Sequence, residues 1–456
     1  LPPSKLVESD FIEQVRGLGA LLGSPNFHEK FALCDPTWSP KYAVNKFLFP
    51  ETCSTKVLPR SLISEVAWRV SRDLELSGGI EIVDLFDAIK SFDSKHSSPG
   101  PGFSPFFKSR YDIAPHVCNF TDTTPFHMMV KEEVSKIEKI EQGNYRIIFN
   151  ANSSLVLGMK QYTLSMNHGF TKIGLMLKGG DPRYNLTRLA TGFFVAKEFE
   201  YCIQGDAHSF DTTITHGLLL QVYRLRNLIL AHFSLQLIPQ HLIDQICKFT
   251  FSWYDLDTKT FHSKLQSVIG NPSGQPNTTE DESLLVYMII VDYAKTVLGL
   301  SYEDFFLHSK FEGCGDDYDF QSNFYCDPHL VDVHFSTFGI NMESWSVKST
   351  FDFDILGAHI NSDYRPYWSL EKMLVHLQYC EKDKTLDDFL MRACQCYAYL
   401  VYHPQGEKFR EFFVTILNEL SGELENVMIY YDMLMCSPTH YFQPQNILLG
   451  THANWV

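Results

Sequence analysis

Asp316 and Asp317 stand side by side behind Gly315 in the run Phe311-Glu312-Gly313-Cys314-Gly315-Asp316-Asp317-Tyr318-Asp319-Phe320. Glycine permits the positive φ of a tight turn, and aromatic residues suit strands. The run therefore predicts a β-hairpin, with Gly313 and Gly315 shaping the turn and both carboxylates at its tip. Adjacent carboxylates repel, and a divalent cation offsets that repulsion. A plain solvated turn is the alternative reading of the same residues. A second pair, Asp206 and Asp211, closes the run from Phe199 to Asp211. Its apolar and aromatic positions predict a strand that delivers Asp206 at its end, where a metal can be held. Asp211 falls near the start of a helix running through Leu218, Leu219, Leu220, Val222 and Leu225, where a carboxylate can also serve as a cap. His208, between Asp206 and Asp211, reads as a packed or solvated residue.

Positive charge gathers upstream of these acids. Residues 126–190 hold nine Lys and Arg against five acids, in a chain whose net charge is −16. Val130–Glu133, with Lys131, and Glu141–Phe149, with Arg146, flank a charged connector carrying Lys136 and Lys139, and Arg146 opens a β-prone run, Tyr145 to Phe149. Such cations on a hairpin suit a triphosphate, although a solvated charged hairpin has the same composition. Two loops offer backbone to a ligand. Ser97-Ser98-Pro99-Gly100-Pro101-Gly102-Phe103 alternates rigid proline with permissive glycine. Ile269 to Thr279 contains Ser273 and Gly274 and leads into an apolar helix around Leu284 to Leu298. Its plainer reading is a helix start capped by Thr278 or Thr279.

The elements that must carry these residues need a large core, and the composition supplies one. The chain has 456 residues, 45% hydrophobic and 14% aromatic, enough for two or three subdomains. Eleven scattered cysteines with no C-x-x-C pair indicate free thiols in a reducing compartment and argue against zinc. No apolar run reaches the roughly 18 residues of a membrane span, and Leu284 to Leu300 is broken by Asp292 and Lys295. The residues from Leu1 onward lack a secretory pattern. The overall acidity excludes indiscriminate nucleic-acid binding, while a locally basic region can line a channel. Further helices are expected at Leu62–Leu76, Ile82–Ile89 and Leu330–Phe338, and from Ser369 onward.

Taken in order, the glycine loop, basic hairpin, Asp-x4-Asp, Ser-Gly loop, Gly-Asp-Asp and trailing Lys348 resemble the RNA-dependent RNA polymerases of positive-strand RNA viruses. The picornavirus-like and astrovirus-like branch is the most similar, and the resemblance covers roughly Ser97 to Ile360. It implies an α/β (α+β) right hand closed by fingertips. The implied fingers are residues 1–198 with an insertion at 218–264, the palm 199–217 and 265–360, and the thumb 361–456. It also implies roles. Ser97, Ser98, Pro99 and Gly100, with Lys136, would guide the template, and Gly357 of Phe353–Ile360 would support the primer strand. Lys131, Lys139 and Arg146 would grip the incoming triphosphate. Asp211, Ser273, Gly274 and Thr278 would read the nucleotide. Asp206, Asp316 and Asp317 would hold Mg²⁺, with Mn²⁺ able to substitute, and Lys348 would protonate the leaving pyrophosphate. The implied partners are RNA template and product duplex, ribonucleoside triphosphates, a protein primer and other viral replication proteins. The implied setting is host cytoplasm, at membrane-associated replication sites reached through partners.

Two positions depart from the family pattern. Glu282 stands where relatives usually carry Asn, nine residues after the Ser-Gly serine, and Ser135 stands where they often carry Arg. We expect Glu282 to keep the sugar-selecting role through a rearranged bond network. Two rival readings share parts of the pattern. A reverse transcriptase usually presents Tyr-x-Asp-Asp and an aromatic sugar gate. An inert RNA-binding scaffold would have no need of Asp206, Asp316 and Asp317.

Overall fold

The computed structural model describes residues 11–33, 41–50, 54–91, 110–113, 124–131, 133–142, 146–178, 181–255, 258–378, 385–420 and 427–435. The loop with Ser97, Ser98, Pro99 and Gly100 lies outside them. The described residues form a mixed helix and sheet structure whose twelve strands fall into four sheets.

The first sheet joins distant segments. β1 (Phe31–Leu33) pairs antiparallel with β3 (Val134–Lys136), placing Phe31 beside Lys136. The second has the order β4 (Ile147–Asn150), β2 (Phe126–Val130), β6 (Thr250–Asp255) and β7 (Thr260–Gln266). The parallel contact of Phe126 with Phe251 ties residues 250–266 to the N-terminal half. The third sheet runs β10 (Met342–Ser346), β5 (Tyr201–Ala207), β9 (Asp317–Ser322) and β8 (Ser309–Cys314), all antiparallel. The fourth is β11 (Ala358–Ile360) with β12 (Pro366–Trp368).

The third sheet obeys the two-residue period of strands. Ile203, Tyr318, Phe320 and Phe311 face helices, while Gln204, Asp206, Asp317 and Asp319 share the opposite face. Ten of the described helices frame the sheets: α1 (Ile12–Leu21), α2 (Arg60–Leu76), α3 (Ser153–Lys172), α4 (Pro182–Ala190), α5 (His216–His232), α6 (Thr278–Thr296), α7 (Pro328–Ser336), α8 (Leu370–Gln378), α9 (Leu386–Leu400) and α10 (Gly406–Leu420). Every residue of α6 from Glu280 to Ala294 is buried, as expected of a helix packed on all sides. Each fully buried Leu, Ile or Val there contributes about 1.5–3 kcal/mol. Asp292, which interrupts the apolar run, is held by His334 Nε2 of α7 at 3.0 Å.

A separate cluster joins the chain's start to its C-terminal helices. Val15, Leu18, Leu22 and Phe27 pack in one core with Phe389, Phe409 and Phe413. Phe11 stacks on Phe389 with centroids 4.7 Å apart, and Lys30 Nζ meets Glu371 Oε1 at 2.6 Å.

Local expectations are adjusted in four places. The helix expected at Ile82–Ile89 starts only at Leu85, where Asp84 caps it by accepting the Asp87 N–H. Gly313 does not shape the turn. It lies within β8, where a Cβ would sit tightly, 3.0 Å from the Phe311 ring and 3.1 Å from Ser283 Cβ. Neither Thr278 nor Thr279 is the cap of α6. Asn277 occupies that position, with no side-chain bond to the helix. Asp211 lies in a single 3₁₀ turn, Phe210–Thr212, and the cap of α5 is Thr215, whose side chain accepts the Leu218 N–H.

Candidate active site

The β8–β9 hairpin closes through a two-residue turn, with Cys314 opposite Asp317 and Gly315-Asp316 between them. Gly315 has φ of +72°, while Asp316 keeps a negative φ. This is the pattern of a turn that admits glycine first. The Gly315 N–H donates to Ser283 Oγ of α6 at 2.8 Å, so the fully buried helix fixes the tip. On the neighbouring strand Gly205 faces Tyr318, and the register then sets Asp206 beside Asp317. Gly205 is required there, because a Cβ would lie 2.5 Å from the Tyr318 ring.

The carboxylates feel one another. Asp316 is pushed up to about 6, first by burial and then by the charge of Asp206. Asp317 is pushed up to about 8 by burial, Asp316 and Asp206, in that order. Burial also raises Asp206, while His208 and Lys139 pull it back. Asp211 is raised by burial and opposed by Lys46 and Arg146. Asp206, Asp211, Asp316 and Asp317 thus converge, as the sequence indicates, and Lys139 and Arg146 act on them.

Asp317 has an additional partner in a strained turn. The nearby Leu356 N–H works against the rise in its pKa. Leu356 and Gly357 both have positive φ, +56° and +65°, between mutually bonded Ile355 and Ala358. A non-glycine residue in this region costs roughly 1–2 kcal/mol. The turn is secured from the other side, where Trp368 Nε1 donates to the Leu356 carbonyl at 3.2 Å.

The basic segment lines up beside this centre. The Lys131 N–H donates to the Arg146 carbonyl at 2.8 Å, extending the β2–β4 ladder. Glu133 lies between the two cations, 2.8 Å from Lys131 Nζ and 3.7 Å from an Arg146 nitrogen. Lys136 ends β3 and is exposed, and Lys139 is exposed on the helix Ile137–Glu141.

The Ser-Gly loop packs on β4. Ser273 Oγ donates to the Ile147 carbonyl and accepts the Phe149 N–H, each at 3.2 Å. A Cβ on Gly274 would fall 1.4 Å from the Phe149 carbonyl oxygen, so only glycine fits. The Thr278 hydroxyl faces the carbonyls of Pro272 and Gln275 at 3.1 and 3.2 Å.

Lys348 does not join the cluster. β10 runs antiparallel to β5 with Glu343 opposite Asp206 and Ser346 opposite Ile203, and the Val347 N–H donates to the Cys202 carbonyl, so Lys348 falls opposite Tyr201 at the other end of β5. Five residues of strand separate it from Glu343, about 17 Å at the usual rise. Its backbone N–H is bound by Asp352.

The sequence reading missed four residues. Asp354 adds its charge to Asp206 and Asp317, and its N–H donates to Gln204 Oε1 at 2.9 Å. Lys372 of α8 lies in the field of Glu133, Arg146, Lys131 and Asp317, and burial lowers its pKa. Asn271 and Gln275 bond to the acids at the start of α6. Asp354 and Lys372 carry no motif signal, because each acts across distant segments, while Asn271 and Gln275 lie in the Ser-Gly loop itself and bond only eleven and six residues further on.

Among the described residues no three His, Cys, Asp or Glu side chains form a preassembled metal cage. The donors nevertheless suit a hard cation that shares its coordination with substrate phosphate oxygens. They are carboxylates alone, and each of the four is raised by burial.

A sequence profile described as viral RNA-dependent RNA polymerase matches residues 108–427, well over half of the chain. The chain belongs to this family of viral enzymes. Among curated relatives, the genome polyprotein of Blackberry virus Y is 28% identical over 197 residues, 41% of this chain and 5% of the relative. The genome polyprotein of Pea seed-borne mosaic virus is 26% identical over 220 residues, 46% of this chain and 6% of that relative. The chain therefore spans a small part of the length of these relatives.

Proposed function

We propose that the chain copies an RNA template into RNA from ribonucleoside triphosphates by two-metal-ion nucleotidyl transfer during viral replication. The carrying observation is the convergence of Asp206 with Asp316 and Asp317 on adjacent antiparallel strands. Asp206 and Asp316 would hold Mg²⁺, or Mn²⁺ in its place, with Asp317 in support. The ions would stabilise the attacking 3′-hydroxyl oxygen and the leaving pyrophosphate. Lys131, Lys139 and Arg146 would neutralise the triphosphate. Lys348 is left out of the scheme because of its place at the far end of β5, opposite Tyr201.

The right-hand division follows from the same reading. Residues 1–198 and 218–264 are the fingers, a grouping supported by the sheet that β2, β4, β6 and β7 share. Residues 199–217 and 265–360 are the palm, and 361–456 the thumb. Closure by fingertips is supported by the contacts of Phe11 and Lys30 with Phe389 and Glu371. Template RNA, product duplex, a protein primer and other viral replication proteins are the proposed partners. The proposed setting is host cytoplasm at membrane-associated sites. No helix among the described residues is long and apolar enough to cross a membrane, so partners would supply the attachment.

The test is extension of a self-priming RNA with Mg²⁺ or Mn²⁺, comparing the native chain with Asp316→Ala and ribonucleotides with deoxyribonucleotides. Metal-dependent ribonucleotide incorporation by the native chain alone is expected. Equal incorporation by both proteins would refute the catalytic assignment.

A further inference from the structure

Leu356 and Lys372, which both act on Asp317, also line a cavity of about 60 Å³ among β12, α8, α9 and the start of α4. A water needs roughly 10–15 Å³ of such space, so the cavity has room for about four to six waters or for one small ring. Its apolar part is built from Leu356, Trp368, Met373 and Tyr399. The first three are buried. The Trp368 and Tyr399 rings meet edge to face, with centroids 4.8 Å apart. The bond from Trp368 Nε1 to the Leu356 carbonyl holds the indole in place.

The polar part of the cavity is basic. Lys372 and His376 stand one turn apart on α8, and Arg392 comes from α9, where its guanidinium donates to the His376 carbonyl at 3.2 Å. Among the described residues that line the cavity none is acidic. Asp181 acts on the nearby Tyr399 but is engaged by Arg183 at 2.6 Å. Glu133 and Asp317 act on Lys372 from the active site. His376 is pushed down to about 4 by burial and by the charges of Lys372 and Arg392. At neutral pH it therefore adds an uncharged ring beside two cations. Cations set against aromatic rings suit an anion with an apolar body, since each half of such a ligand finds its match.

We propose that this cavity is a second ligand site, which takes a small anion carrying a single ring, an aryl phosphate or carboxylate, and modulates strand extension through Leu356. The ring would lie against Trp368 and Tyr399, and the anionic head would be held by Lys372 and Arg392. The space is too small for a nucleoside with its base and sugar, and its apolar part gives nothing to inorganic phosphate. A neutral ring would leave the charges of Lys372 and Arg392 unrelieved. The ligand and Asp317 share Leu356, a non-glycine residue held at φ of +56°. Such a conformation persists only when its surroundings enforce it, so a ring seated against the Leu356 side chain biases the turn beside the catalytic carboxylates. The effect on extension rests on the polymerase reading, and the binding site does not.

Isothermal titration with phenyl phosphate tests the site, beside benzyl alcohol, inorganic phosphate and uridine monophosphate. Phenyl phosphate is expected to bind with Kd below about 1 mM, and the other three at least about tenfold more weakly. Arg392→Gln and Lys372→Gln should each weaken it about tenfold, the loss of one charge-assisted hydrogen bond. Thermal melting shows whether each variant is folded, and either one alone suffices. In single-nucleotide extension at constant free Mg²⁺, phenyl phosphate should change kcat about twofold or more. Arg392→Gln should need about tenfold more ligand for the same change. A competitor at the triphosphate cations would instead raise KM for the nucleotide and leave kcat unchanged. No binding at about 10 mM, binding untouched by both substitutions, uridine monophosphate binding as tightly as phenyl phosphate, or competition alone overturns the inference. A native chain that incorporates no ribonucleotide would remove the polymerase reading, a separate outcome that leaves the titration to decide the site.

Discussion

At the scale of single residues, the raised carboxylates have a consequence for pH. Asp316 and Asp317 titrate at about 6 and about 8 in the folded chain without metal, against about 3.9 for an unfolded Asp. Below pH 4 both states hold these protons, so the shifts cost nothing. As pH rises through that value the unfolded chain ionises first, and folding loses stability until the folded groups ionise too. The metal-free protein should therefore melt at a lower temperature at pH 8 than at pH 5, as far as these groups decide. Asp317→Asn should flatten the trend. Mg²⁺ should raise the melting temperature more at pH 8, because binding must displace the retained protons. Scanning calorimetry at both pH values, with and without the ion, checks this. On activity, Asp316→Ala should reduce extension at least about a thousandfold, the loss of several kcal/mol of charge stabilisation. A quenched-flow extension assay measures it.

At the scale of elements, glycines mark where backbone approaches backbone or ring. Gly274→Ala would drive a methyl into the Phe149 carbonyl, so the loop or β4 must move. A loss of about 1–3 kcal/mol is expected, with a matching shift in the denaturation midpoint and weaker nucleotide binding. The hairpin, the strand ending at Asp206 and the buried α6 were legible in sequence, because alternation, aromatic content and glycine placement are local signals. Asp206, Asp316 and Asp317 were legible for the same reason. The approach of Leu356 to Asp317 and the influence of Arg146 on Lys372 were not, since each joins distant segments, and Asn271 was passed over within a loop that the sequence did mark. Lys348 shows the opposite failure. Its order in the chain suited a proton donor, but the antiparallel register of β10 carries it away from Asp206.

At the scale of the whole molecule, the first segment and the last helices share one core. Phe27 is fully buried there, so Phe27→Ala should cost about 3–5 kcal/mol. The exposed Lys30–Glu371 pair is worth at most about 1 kcal/mol. Comparing the melts of the two variants, Phe27→Ala and Lys30→Ala, shows which interaction holds the ends together. Charge is distributed at this scale too. The chain carries net −16, so RNA affinity must come from the local cations. The slope of log affinity against log salt should shrink by about 0.7 for each phosphate that a substitution leaves unneutralised. Lys136→Ala, titrated with labelled RNA at several salt concentrations, tests one such cation.

The placement of β5 bears on how the chain reaches this state. β5 is an inner strand with β9 on one side and β10 on the other, and both partners lie more than a hundred residues downstream. During synthesis at about 5–20 residues per second, β5 waits many seconds with both edges unpaired. Unpaired strand edges are templates for aggregation. Pairings between such distant segments are also slow to form. Nascent chains ending before residue 317 should therefore be the aggregation-prone species, and a chaperone that shields β5 should raise the yield of soluble enzyme.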